Sequence, residues 1–216
     1  SECLVGSEMC IRDSNIFMEN IFSEFESGNE IYIHPSVLID KSVKVNVQGS
    51  GHKITIDEGV VLRNLRINII GENNTLHIKK KSNIRGCIDI RQNSSKLIIG
   101  SGTTTAGVHF FAMEGKSITI GDDCMFSSSI YIRTSDEHPI IDIESGERIN
   151  HAKDIVISDH VWVGEGVTIN KGSVIPYGCI IGTKSLVGKK LSRPSSSYAG
   201  IPLRLIREGV RWERKL

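Results

Sequence analysis

Six consecutive six-residue units occupy residues 155–190: IVISDH, VWVGEG, VTINKG, SVIPYG, CIIGTK and SLVGKK. The third position of every unit is aliphatic: Ile157, Val163, Ile169, Ile175, Ile181 and Val187. The position after it is small or turn-prone in most units, as in Ser158, Gly164, Asn170, Pro176, Gly182 and Gly188. A period of six does not fit a 3.6-residue helical turn. A flat hairpin sheet needs stronger turn signals between its strands. Short strands joined by tight corners do fit. Each unit then forms one face of a triangular coil, and three units return the chain above its own start. Stacked coils make a parallel β-helix with the aliphatic column inside.

The pattern continues upstream with a longer step. ITIDEG starts at Ile54, LHIKKK at Leu76, LIIGSG at Leu97 and ITIGDD at Ile118, 21 to 22 residues apart. Polar corners such as GENN (71–74) and RQNSS (91–95) are expected to absorb the excess. IYIHPS and VLIDKS (31–42) read as a first coil, so one β-helix domain is expected over residues 30–190. Its main interruption is the polar, turn-rich stretch 133–154, and a long loop extruded from a rigid solenoid favours chemistry. Residues 191–216 form a C-terminal extension. Residues 15–29 have partly helical spacing and read as a cap over the open end of the solenoid. Residues 1–14, SECLVGSEMCIRDS, fit neither pattern and read as adapter-like sequence outside the functional unit.

Composition agrees with an all-β chain: 6% aromatic residues and 21 glycines suit short strands and tight corners. No stretch approaches the 18 or so apolar residues of a membrane span, and the N-terminus lacks a basic region followed by an apolar run. Cys3, Cys10, Cys87, Cys124 and Cys179 are scattered without metal-ligand or disulfide-framework spacing, which favours a reducing cytoplasm. Net charge is +1, but from Lys184 onward nine bases face only Glu208 and Glu213. Such a segment suits an anionic ligand, or simply a solvated face.

Four motifs then occur in order: DEHPI (136–140), GERINH (146–151), HVWVG (160–164) and AGIPLRLI (199–206). With the hexads they resemble the hexapeptide-repeat acyltransferases, on the branch of the maltose, galactoside and capsule O-acetyltransferases, nearest the sialic-acid capsule enzymes. The resemblance is densest over residues 118–216. It implies a left-handed coil, although crossover connections are ordinarily right-handed. It also implies acetyl-CoA as donor, a saccharide hydroxyl as acceptor, no metal, and a homotrimer with active sites between subunits.

Acetyl transfer to a hydroxyl requires proton removal, hydrogen-bond donors for the oxyanion and alignment of both substrates. His138 stands in the extruded loop before Pro139, which biases its backbone toward an extended form. The resemblance makes it the general base. Trp162 follows 24 residues later. Flanked by Val161 and Val163, it is expected to point off the coil, and by resemblance it lines the acetyl-transfer site. Gly164, Gly182 and Gly188 suit a pantetheine arm close to the backbone, and Thr183, Lys184, Lys189, Arg204 and Arg207 complete the coenzyme set. AGIPLR departs from the family's commoner AGNPAK. Arg133 and Arg148 flank the loop and suit an acceptor carboxylate. The bases Arg63, Arg66, Lys79, Lys80, Lys81, Arg85, Arg91 and Lys96 either form a track for a polyanion or scatter over ordinary strand faces. Among the other histidines, His34, His52 and His77 read as structural, His151 as a brace for the loop, and His160 as an exposed corner, while His109 is unassigned. No histidine trio resembles the zinc site of the carbonic anhydrases that share this fold, and the cysteines are not read as nucleophiles. Two other readings stay open: acetylation of a small sugar, amino sugar or antibiotic, and a non-catalytic β-helix scaffold or binding module.

Overall fold

The structure is a computed structural model and describes residues 28–215. The adapter-like segment and all but two residues of the expected N-terminal cap lie outside the described residues. The described chain is built of strands, numbered here along the sequence, that wind into a parallel β-solenoid with a seven-stranded first face. That face stacks β1 (Glu30–Ile33), β4 (Lys53–Ile56), β6 (Thr75–Ile78), β8 (Lys96–Ile99), β11 (Ser117–Ile120), β14 (Ile155–Ile157) and β17 (Val174–Ile175). The second face stacks β2 (Leu38–Ile39), the starts of β5 (Val61–Glu72) and β7 (Asn83–Asn93), then β9 (Thr104–Thr105), β12 (Met125–Phe126), β15 (Trp162–Val163), β18 (Ile180–Ile181) and β20 (Ser196–Ala199). The third face stacks β3 (Lys44–Ser50), the remainders of β5 and β7, then β10 (Val108–Ala112), β13 (Ile130–Arg133), β16 (Thr168–Asn170) and β19 (Leu186–Val187). The last strand, β21 (Arg204–Glu208), returns antiparallel beside β20.

The six aliphatic third positions of residues 155–190 are at most 1% exposed and line the interior. Their columns extend down the molecule in register, as in Ile67, Ile88, Phe110, Ile132, Ile169 and Val187 on the third face. Burying one such side chain contributes on the order of 1.5–3 kcal/mol, so repetition of one inward position stabilises the whole stack.

The extra length of the early turns does not sit in the polar corners, as the sequence suggested. It lies mostly in β5 and β7, of 12 and 11 residues, which bend from the second face onto a wide third face. Gly86 sits at that bend with φ 126°, and a Cβ there would meet the Val108 carbonyl oxygen at 2.1 Å. The polar corners instead provide ladders. Asn74, wholly buried, donates to the Gln92 carbonyl at 2.8 Å and accepts from the Ser95 amide at 2.8 Å. At another corner, Ser82, Thr103, Cys124 and Cys179 donate hydroxyl or thiol hydrogens to carbonyls of the following rung. Burial pushes the Cys124 thiol up to about 12 and raises that of Cys179. These cysteines are corner pieces and weak nucleophiles.

Candidate active site

The extruded loop leaves β13 at Arg133 and returns at β14. Its framework comes from residues far apart in sequence. Glu114, at the corner after β10, accepts two hydrogen bonds from Arg148, at 2.7 and 2.9 Å, and also pairs with the Ser135 hydroxyl. Asn150 spans the loop base: its side-chain oxygen accepts from the Ile140 amide at 2.7 Å, and its nitrogen donates to Asp136 and to the His138 carbonyl, each at 2.9 Å. Lys171, from the corner after β16, pairs with Asp136 and donates to the Asn150 carbonyl at 2.7 Å. The Lys171 hydrogen bond holds the Asp136 carboxyl below its ordinary range, and Arg148 does the same for Glu114. Both backbone ends of His138 are thereby tied, its amide to the Asp136 carbonyl at 2.8 Å, while the residue itself is exposed. The sequence pointed to His138 but not to this support, because Glu114, Asn150 and Lys171 meet it only through stacking of the coils.

Trp162 projects off the second face, 37% exposed. It closes a cavity of about 390 Å³ that also includes Asn83, Arg85, Thr104, Met125 and Ser127. Register stacks Asn83, Thr104, Met125 and Trp162 in one outward column. Two residues further along, the outward position is Arg85 on the first of these strands and small on the later rungs, at Ala106, Ser127, Gly164, Gly182 and Ala199, each amide but the last donating to the carbonyl just before the next small residue at 2.8–3.0 Å. The strip is narrow because the coils touch. A Cβ on Gly164 would lie 2.8 Å from the Thr183 nitrogen, and one on Gly182 would lie 2.8 Å from the Ala199 Cβ.

The expected coenzyme residues divide between two sides of the coil. Gly164, Gly182 and Ala199 run along the second face, with exposed Thr183 and Lys184 at its corner. Arg204 lies opposite Ala199, and Arg207 opposite Ser197. The register shift between Ser197 and Tyr198 puts both arginines on the same face, which three-residue spacing in a regular strand would not do. Gly188 and Lys189 instead line a cavity of about 600 Å³ with Lys153, Lys171 and Lys190, next to the loop that carries His138. Among the described residues, no hydrogen bond or ring contact joins His138 to Trp162, and neither of these two cavities includes both.

Other expectations meet a different outcome. Arg148 is spent on Glu114, with its Nε also donating to Asn150 at 3.2 Å, so it acts as a strut. Arg133 stands at the loop entrance with a buried Nε that has no partner. The bases of the supposed polyanion track spread around the coil: Arg66 and Arg91 on the third face, Lys96 on the first, Arg85 on the second. His160 is no mere exposed corner. Its ring stacks on Trp212 at 4.3 Å and 9°, its Nδ1 meets Asp123 at 2.7 Å, and its carbonyl accepts from the Trp212 indole at 2.8 Å. Arg214 adds hydrogen bonds to Asp123, Thr104 and the Cys124 carbonyl. The C-terminal segment is thus fastened beside the Trp162 cavity, with the two indoles 6.4 Å apart.

His109 belongs to a cluster on the third face. Its Nε2 lies 2.8 Å from Asp89, which also accepts from Asn68, Cys87 and Arg91. Cys87, Asp89 and His109 bring their donor atoms within 4.8 Å of one another, which suits a metal in principle. Arg66 donates to the Cys87 sulfur at 3.4 Å and Arg91 to Asp89 at 3.1 Å, so the cluster's one carboxylate is already met by cations of the chain itself.

No protein-family model matches the chain. It is 32% identical to a polysialic acid O-acetyltransferase of Neisseria meningitidis over 197 residues, 91% of both chains. It is 40% identical over 140 residues to a polysialic acid O-acetyltransferase of Escherichia coli O1:K1 / APEC, a match covering 64% of this chain and 45% of that relative. The crystal structure of the polySia-specific acetyltransferase NeuO superposes with a TM-score of 0.78 at 39% identity, covering 87% of this chain and 86% of the other. A relationship along almost the whole of both chains and a shared coil establish that the chain belongs to the hexapeptide-repeat acetyltransferases, a left-handed parallel β-helix family, close to its capsule O-acetyltransferases.

Proposed function

We propose that the protein transfers the acetyl group of acetyl-CoA to a hydroxyl of a sialic-acid-containing capsule polysaccharide. It works as a homotrimer in the cytoplasm, with each active site between two copies. His138 takes the acceptor proton as the hydroxyl attacks the thioester carbon. The Trp162 indole N–H holds the oxyanion until the coenzyme thiolate departs, since the Gly164 amide is already given to the Ile181 carbonyl at 2.8 Å.

The observation that carries this reading is the division of the site on a single chain. Trp162, the small-residue strip, Arg204 and Arg207 occupy one side, while His138, Gly188 and Lys189 occupy another. Neither half alone aligns a base with an acceptor and a thioester. Closed cyclic symmetry brings one half of each copy against the other half of its neighbour. The thioester arm then runs along the strip, its phosphates near Arg204 and Arg207, and the acceptor enters from the end of Asn83 and Arg85.

The test is incubation of the protein with acetyl-CoA and a panel of sialic-acid polymers, neutral oligosaccharides and small amino sugars. Free thiol is measured, and each acceptor is read by mass spectrometry. Acetylated sialic residues with stoichiometric thiol support the reading. Turnover confined to small amino sugars, or none at all, refutes it.

A further inference from the structure

We propose that Arg85, with Asn83, forms a carboxylate-binding subsite that anchors an acidic sugar of the acceptor beside Trp162. The inference rests on the acetyl-transfer reading above and adds to it the group that recognises the acceptor.

Arg85 shares the 390 Å³ cavity with Trp162 and sits at its N-terminal end, while the small-residue strip runs away toward Ala199. Three strand spacings separate Asn83 from Trp162 along their column, roughly 14 Å. That length accommodates a short stretch of extended polymer. The Arg85 backbone is fixed on both sides by the buried Thr105 hydroxyl, which accepts from its amide at 2.7 Å and donates to its carbonyl at 2.8 Å.

Its guanidinium, by contrast, is uncommitted. Arg66, Arg148 and Arg214 each bind an acceptor group within the chain. Among the described residues nothing takes up the charged end of Arg85. Beside it, the side-chain oxygen of Asn83 is buried without a hydrogen-bond partner, which is costly unless a ligand supplies a donor. A planar cation next to an unsatisfied acceptor matches a sugar that carries both a carboxylate and hydroxyls. The coenzyme is also anionic, but Arg204 and Arg207 offer cations at the opposite end of the strip. Arg85 is therefore assigned to the acceptor.

The experiment compares wild type, Arg85→Ala and Arg85→Lys with acetyl-CoA and two acceptors: a sialic-acid polymer, and the same polymer with its carboxylates reduced to alcohols. A lost charge-assisted pair predicts a fall in kcat/KM of about 10- to 100-fold for Arg85→Ala on the native polymer. On the reduced polymer Arg85→Ala and wild type should agree within about twofold, and KM for acetyl-CoA should not change. Arg85→Lys should recover part of the loss, since it keeps the charge without the fork. Wild-type protein that leaves the sialic polymer unacetylated removes the reaction and the subsite together. An active wild type whose Arg85→Ala variant equals it on the native polymer overturns the subsite alone. So does an equal loss on both polymers, or a loss expressed in KM for acetyl-CoA, which would move Arg85 to the coenzyme phosphates.

Discussion

At the scale of single residues, chemistry and support belong to different side chains. His138 offers an exposed imidazole whose backbone is tied by Asn150 through its carbonyl. His138→Ala should lower kcat by roughly a hundred- to ten-thousandfold, the usual range for a lost general base. Its melting temperature should stay near wild type, because the side chain lies outside the aliphatic column. A variant within about threefold of wild-type kcat, where chemistry limits the rate, would rule out the assignment. His109 differs in kind, being half-buried and paired with Asp89. Burial acts to lower its pKa, but hydrogen bonds with Asp89 and Cys87 outweigh this and raise it to about 9. Asp89 is likewise buried, yet its hydrogen bonds hold it below the ordinary carboxylate range. The histidine's stabilising contribution is therefore full below its unfolded value of about 6.5 and disappears as pH rises through about 9. That of Asp89 is present above about 4 and is lost as pH falls. The stability gap between wild type and Asp89→Asn should be widest between about pH 4 and 6.5 and should narrow toward pH 9. A gap that stays constant from pH 6 to pH 9 would contradict the charged pair.

At the scale of elements, the loop and its strut form one unit. If Arg148 acts through Glu114, then Glu114→Gln and Arg148→Ala should lower kcat to a similar extent, by about tenfold, on charged and neutral acceptors alike. A loss confined to Arg148→Ala and to anionic acceptors would restore Arg148 to the acceptor site. The hexads made most of the coil legible, because an inward position repeated every six residues is a local signal. The same signal did not tell that β5 and β7 continue around a corner, since Asn64 at φ 45° and Gly86 at φ 126° bend them at a bulge where the register shifts by one residue and pairing then resumes. Nor did it show the pairing of Glu114 with Arg148, 34 residues apart, or the clasp of Trp212 on His160, 52 residues apart. The sequence pointed to His138 as the proposed base through the HP dipeptide of the family it resembles, set in a polar loop. Arg85 was one base among many until register stacked its rung beneath Trp162.

At the scale of the whole molecule, one solenoid holds Trp162 and the loop of His138 on different sides of the coil, and the proposed function requires two copies to complete one site. Complementation tests this most directly. His138→Ala and Trp162→Ala chains, each inactive or nearly so alone, are co-expressed in equal amounts and assayed with acetyl-CoA and a sialic-acid polymer. If each site takes its histidine from one copy and its tryptophan from the next, random assembly leaves about a quarter of the sites intact and restores about a quarter of wild-type activity. If both residues act within one chain, every site in the mixture lacks one of them, and the mixture stays as inactive as its components.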